Sequence, residues 1–271
     1  MIQDAWLARH PYLRRMADFH AQVRAALARV PIGRVSLPNW QQYLEEYRAG
    51  VPFLWSSGES IDLEPCQEGV VSLVADLVSR RTSEKLSREI RDLEAQLRAE
   101  RDAPRRAVAW LLKRELFNPA HPGLLRYLGW TVMARYLKPL VHTFSNWHDG
   151  ERWLRGYCPI CGSAPAMSQL VPADLGRRRL LSCGCCDTRW QFRRIGCPFC
   201  EGGEGYRLAV LAIEAEERLR IDYCKSCFGY LKTYAGQGEE SLWLADWNSL
   251  HLDIAAGHRG LKRRASSLYE L

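Results

Sequence analysis

What this 271-residue chain lacks narrows its class before any motif is read. The start, Met-Ile-Gln-Asp-Ala-Trp, has no basic stretch followed by an apolar run, so no secretory leader is expected. No apolar run is both long enough and free enough of charge to cross a bilayer. The most apolar segment, residues 123–147, carries Arg126, Arg135, Lys138 and Pro139, which a lipid-facing helix of about twenty residues excludes. Nucleotide-binding glycine signatures are missing, and the first 150 residues contain no chemical motif. That stretch holds a single cysteine, Cys66, which reads as a small buried apolar side chain.

The other nine of the ten cysteines lie beyond it, and eight of them form four C-x-x-C pairs: Cys158/Cys161, Cys183/Cys186, Cys197/Cys200 and Cys224/Cys227. Each pair sets two thiols on one tight turn, close enough to grip the same ion. Twenty-one residues separate the first pair from the second, and 23 separate the third from the fourth. That is the length of a hairpin returning one knuckle to the other, the spacing of two consecutive four-thiolate ribbons. Thiols at metal spacing, with no export signal, place the protein in the cytoplasm, where disulfides are rare.

The two halves repeat. Cys158-Pro-Ile-Cys161 and Cys197-Pro-Phe-Cys200 share the form C-P-x-C, and proline fixes φ ahead of the turn. Apolar residues lead into each second knuckle (Leu180 and Leu181; Leu219 and Ile221). Aromatic residues follow it: Trp190 and Phe192 in the first half, Phe228, Tyr230 and Tyr234 in the second. Gly162 suits the bend after the first knuckle. Cys183-Gly-Cys185-Cys186 offers two choices of ligand; the two-residue loop of the other knuckles selects Cys183 and Cys186 and leaves Cys185 free. His142 and His148 precede the first knuckle and read as ordinary histidines beside eight available thiols. A closed four-thiolate shell has no open position for substrate, so both sites read first as structural.

The formal charge of +7 invites a nucleic-acid reading, but its distribution opposes one. Residues 1–156 hold 23 Lys and Arg against 18 Asp and Glu, a balance of +5; residues 157–271 hold 15 against 13, a balance of +2. A divalent ion in four thiolates contributes a net charge of about −2, so two such sites bring the cysteine-rich region slightly negative, a poor match for phosphate. Arg177-Arg178-Arg179 reads as a solvated hairpin tip.

The N-terminal half has helical periodicity. Residues 7–27 form the first expected helix, and Pro38-Asn39 announces another over 40–47. Residues 52–65 read as loop. Val70, Leu73, Val74, Leu77 and Val78 recur at helical spacing, as do Leu86, Ile90, Leu93 and Leu97 on a strongly charged segment. Residues 105–117 and 124–144 complete the set, the last with a kink expected at Pro139. The expected fold class is α+β: a helical domain over 1–154, a first rubredoxin-like or zinc-ribbon domain over 155–195, a second over 196–235, and a helical tail over 236–271.

Three runs carry a resemblance: Cys-Pro-Ile-Cys-Gly-Ser-Ala-Pro over 158–165, Ser-Cys-Gly-Cys-Cys-Asp-Thr-Arg-Trp over 182–190 leading to Cys197-Pro-Phe-Cys200, and Cys-Lys-Ser-Cys-Phe-Gly-Tyr-Leu-Lys over 224–232 with Leu250-His-Leu-Asp253 behind it. Residues 155–255 thereby resemble the FdhE family, the formate dehydrogenase accessory proteins. Asp222-Tyr223, where Glu-Ser is expected, and the extra Cys185 depart from its pattern without removing a ligand. The resemblance implies a cytoplasmic maturation factor, not an enzyme, for a molybdenum- or tungsten-containing respiratory formate dehydrogenase. It implies binding to that enzyme's catalytic subunit before export, and two iron ions on the C-x-x-C motifs, for which zinc can substitute. The chain itself has no molybdopterin-binding motif. A rubredoxin-like redox protein and a zinc-ribbon nucleic-acid-binding protein are the alternatives the residues leave open.

Overall fold

Proline at position 11 divides the first expected helix. It supplies no amide hydrogen and its ring crowds the preceding turn, so a computed structural model of the chain shows α1 (Ile2–Arg9), a 3-10 turn over Pro11–Leu13, and α2 (Arg14–Leu27). The structure describes residues 2–58, 61–150, 152–174, 176–200, 208–214 and 216–266. The other helices of the N-terminal half are α3 (Trp40–Ala49), α4 (Glu64–Val78), α5 (Glu84–Ala99), α6 (Ala103–Leu111) and α7 (Pro122–Trp147). Asn39 caps α3 by accepting a hydrogen bond from Gln41 N at 3.1 Å, and Ser83 caps α5 from Leu86 N at 3.3 Å. The last expected turns of α6 do not form, whereas α7 runs through Pro139, flanked by buried Tyr136, Leu137, Leu140 and Phe144.

The chain divides into two compact units whose limits differ from the expected domains. One is built mainly from Met1–Pro38 and Ile61–Thr143; the other contains Asn39–Ser60 and Phe144–Ser267. In the first, α4 packs on α2, α5 and α6. Val74, Ile90, Leu93 and Ala107 are buried there, and Gly69 lets α4 approach Val132 of α7 so closely that a Cβ would meet its side chain at 2.8 Å. Cys66 is fully buried as expected, and burial pushes its thiol up to about 12.

The second unit is a sheet with helical cover. Its strands are β1 (Pro165–Ala173), β2 (Gly176–Cys183), β3 (Arg189–Phe192), β4 (Leu208–Ala212), β5 (Leu219–Cys224), β6 (Gly229–Ala235) and β7 (Lys262–Arg263). The order is β3-β2-β1-β6-β5-β4, with β7 paired to β6. β1, β2 and β3 are antiparallel neighbours, as are β4, β5 and β6. Between the two sets, β1 and β6 pair in parallel, Met167 opposite Lys232 through Leu170 opposite Ala235. The two expected ribbons therefore share one continuous sheet. Six of the seven β6 residues are buried, as a strand covered on both faces requires. The expected C-terminal tail provides that cover through α8 (Glu240–Trp243) and α9 (Leu250–His258): Trp243 stacks on Tyr234 at 5.8 Å, and β7 adds an edge. Among the described residues, no helix is long and apolar enough to cross a membrane.

Candidate metal centres

The β1–β2 hairpin brings the first two knuckles together. Pro165 stands opposite Cys183, so the chain leaving Cys161 returns beside it. The Sγ atoms of Cys158 and Cys186 are 3.5 Å apart, those of Cys161 and Cys183 3.4 Å, and those of Cys161 and Cys186 3.6 Å. The second cup repeats this from β5, with Cys197 to Cys227 at 3.7 Å and Cys200 to Cys224 at 3.8 Å. A tetrahedron with arms of about 2.3 Å has edges of roughly 3.8 Å, so both sulfur sets fit one thiolate-bound ion, and all ten cysteines are free of disulfides. In each set the four sulfurs lie within 4.8 Å of one another. Both could hold a metal ion.

Three of the four knuckles share a backbone solution among the described residues. The residue after the second cysteine turns left-handed at Gly162 (φ 75°), Asp187 (φ 59°) and Phe228 (φ 56°). Gly162 N and Phe228 N each donate to the first cysteine's carbonyl at 2.9 Å. Amide hydrogens then point at sulfur: Cys185 N to Cys183, Phe199 N to Cys197, Ser226 N to Cys224 and Gly229 N to Cys227, all at 3.3–3.4 Å. Such contacts orient the ligands and temper their charge.

The first cup has an unexpected cover. Residues 52–65, read from sequence as loop, include a 3-10 turn over Phe53–Trp55 that clasps the first knuckle. Phe53 N donates to Pro159 O and Leu54 N to Ile160 O, both at 2.8 Å, while Trp55 Nε1 donates to Cys161 O at 3.3 Å. Tyr43 Oη lies 3.3 Å from Pro159 O, and a Cβ on Gly162 would press on Trp55 at 3.1 Å. The signal available in the sequence was the apolar run Pro-Phe-Leu-Trp inside an otherwise polar stretch. These bonds explain why residues 39–60 belong with the sheet.

The electrostatics of the cups differ. In the first, burial opposes ionisation, yet hydrogen bonds from Cys158, Cys183, Cys185 and Cys186 hold the Cys161 thiol well below its usual value. Burial, and then hydrogen bonds with Cys158 and Cys161, push Cys183 and Cys186 up, so binding an ion there must displace protons. Cys185 is fully buried, and its bond to Cys161 raises its pKa, which makes it a neighbour of the cup and outside the four-sulfur set. In the second cup burial also opposes ionisation, but the amides of Cys227 and Ser226 bring Cys224 down to about 6. All four sulfur residues of the first cup are buried; Cys200 of the second is exposed and Cys227 half-buried. Half-exposed Phe228 stands beside them.

His142 and His148 join neither sulfur set; His142 is exposed, and His148 Nδ1 lies 3.1 Å from Phe144 O. The arginine run is corrected. Arg177 and Arg178 are exposed, but Arg179 is 2 % exposed, because alternation along β2 turns it inward.

A family model described as "FdhE, central domain" matches residues 157–194. A "Protein FdhE homolog" of Aquifex aeolicus is 29% identical over 161 residues, covering 58% of this chain and 56% of the relative. Another from Pseudomonas aeruginosa is 30% identical over 186 residues, covering 64% and 58%. The chain thus spans a little over half the length of these curated relatives. The crystal structure of the FdhE protein from Pseudomonas aeruginosa superimposes with a TM-score of 0.62 at 23% identity, covering 95% of this chain and 88% of that one, which establishes likeness of fold.

Proposed function

The chain belongs to the FdhE family, and we propose that it is a cytoplasmic accessory protein for a respiratory formate dehydrogenase. In this reading it binds the enzyme's catalytic subunit before export and catalyses nothing itself. The observation that carries the reading is closure of both cups: each offers four converging sulfurs, which leave a tetrahedral ion no open position for substrate. Cys158, Cys161, Cys183 and Cys186 would hold one ion, and Cys197, Cys200, Cys224 and Cys227 the other. Iron is the expected native metal and zinc a substitute, since thiolate cages suit both. Bound ions stiffen the knuckles and thereby the sheet that presents them, so the effect on the dehydrogenase passes through a partner surface.

Elemental analysis should give two ions per chain, with all eight ligand cysteines shielded from a thiol probe in the native state. One ion, or four reactive cysteines, would contradict the assignment. In cells, Cys158→Ser with Cys161→Ser should abolish formate dehydrogenase activity and retention of the catalytic subunit in a pull-down. Full activity in that strain would refute the role of the cups, and formate oxidation by the purified protein would refute the non-enzymatic reading.

One observation favours a second reading, a rubredoxin-like electron carrier: the exposed Cys200 gives the second cup an edge at solvent. Reversible bleaching of the iron-loaded protein at a physiological potential would support it. Burial of Arg179 weakens the nucleic-acid reading by leaving two of three adjacent arginines on the surface.

A further inference from the structure

Arg179 is the most deeply buried cation of the first ribbon, and its contacts reach beyond that ribbon. It sits on β2, the strand that ends in the first-cup residue Cys183. Its Nη1 donates to Gly196 O at 3.0 Å, immediately before the second-cup residue Cys197. Its Nε donates to Ser168 Oγ of β1 at 3.2 Å, and its Nη2 lies 3.9 Å from Asp222 Oδ2 on β5, two residues before Cys224. Asp222 Oδ2 also accepts from Thr233 Oγ1 of β6 at 2.9 Å, and Thr233 Oγ1 lies 3.2 Å from Ser168 Oγ. Arg220 pairs with Asp222 Oδ1 at 2.9 Å from its half-exposed position. Ser168 and Thr233 are fully buried, so this polar hub lies inside the sheet, at the parallel β1–β6 joint.

A second observation places the cups in direct mechanical contact. Gly156, two residues before Cys158, lies so close to the Cys197/Cys200 knuckle of the second cup that a Cβ there would overlap the carbonyl of Pro198. The lead-in of one cup is thus packed on the backbone of the other.

We propose that Arg179 is a positioning residue that couples the two cups: fixed by the strand that delivers Cys183, it holds the backbone that delivers Cys197, so an ion in the first cup strengthens binding in the second. This rests on the reading that each cup holds one ion. The guanidinium suits the task because its rigid fork reaches Gly196 O and Ser168 Oγ together, which an ammonium does not. A buried fork removed without replacement takes from Gly196 O and Ser168 Oγ the donor that ties them together, and leaves Asp222 to Thr233 and Arg220 alone. Loading then loses its route from one ribbon to the other while both sulfur sets remain.

The test is stepwise Co2+ binding to the metal-free full chain. Native mass spectrometry counts chains with no, one and two ions, and ligand-field absorption reports the four-sulfur environment. In Arg179→Met the second stepwise constant should fall about tenfold relative to the first, within the usual range of coupling between sites, so singly loaded chains accumulate. Arg179→Lys should behave as Arg179→Met does. The milder Ser168→Ala, which keeps the charge and the volume, should shift the ratio in the same direction by less. First-cup affinity, read in a Cys197→Ser/Cys200→Ser background, should change less than about twofold on adding Arg179→Met. An unchanged ratio in both Arg179→Met and Ser168→Ala overturns the proposal. So does wild-type behaviour of Arg179→Lys, or an equal loss at both cups, which marks general unfolding. A native chain that binds fewer than two ions overturns the two-cup reading itself and the coupling with it.

Discussion

A chelator strong enough to strip both cups will melt the sheet and release residues 39–58 from it, while α2, α4, α5 and α6 keep their helical signal. Structural thiolate sites contribute on the order of 10 kcal/mol each to folding, which equals or exceeds the whole stability of an ordinary domain. Stripped, the sheet would hold two clusters of four thiols, six of the eight buried, with no ion at their centre. The helices of the first unit have apolar contacts of their own, Leu73, Val74, Leu77, Ile90 and Leu93 among them, and no cup residue. Amide exchange separates the outcomes. Phe53 N and Leu54 N donate to Pro159 and Ile160 of the first knuckle, so their protection should vanish with the metal although they lie over 100 residues away in sequence. Circular dichroism should fall by the share of α3, α8 and α9 only. Loss of all helical signal would show that the first unit depends on the cups, and retained protection at Phe53 would show that the clasp stands without an ion.

The sulfur sets were legible because ligand spacing is local: two thiols per turn and one hairpin between turns fix a four-sulfur geometry with no knowledge of the rest of the chain. Helix existence was legible from apolar spacing, and cap residues such as Asn39 and Ser83 marked true starts. What could not be read was pairing across distance. Nothing in Cys158–Tyr234 announces that β1 will lie parallel to β6, because that register depends on which faces the tail covers. The clasp over 53–55 was hidden for the same reason, since three apolar residues in a loop carry no period. A charge run reads as a solvated tip, but strand alternation buries one residue of the three, Arg179. Lys232 and Asp253 appeared in the sequence only as parts of separate motifs; the fold pairs them.

Replacing Lys232 with methionine should destabilise the second unit by about 3–5 kcal/mol, the cost of leaving buried charge uncompensated. Lys232, 1 % exposed on β6, places Nζ 2.7 Å from both Asp246 Oδ1 and Asp253 Oδ2. It also donates to Asp246 O at 3.0 Å. Arg263 of β7 pairs with both carboxylates, and Tyr230 Oη donates to Asp253 Oδ1 at 2.7 Å. Two cations thus balance two carboxylates under the sheet. Lys232→Met leaves two carboxylates to one arginine, and a lowered thermal midpoint with both ions still bound is the expected result. Lys232→Met with Asp253→Leu restores a one-to-one balance between Arg263 and Asp246 and should recover most of the loss, since a buried pair exchanged for apolar groups is often neutral. Equal loss in the single and double variants would show that packing around Lys232, and not its charge, is what matters. Acid supplies an independent readout. Burial opposes ionisation of Asp246, but the charges of Lys232 and Arg263 outweigh it and hold the carboxyl below its usual range. Its contribution is therefore complete above the unfolded value of about 4 and is lost as pH falls below that toward the folded one. Removing the Lys232 charge weakens that depression, so the loss of stability in acid should begin at the same pH in Lys232→Met but be smaller and level off at a higher pH than in the native chain.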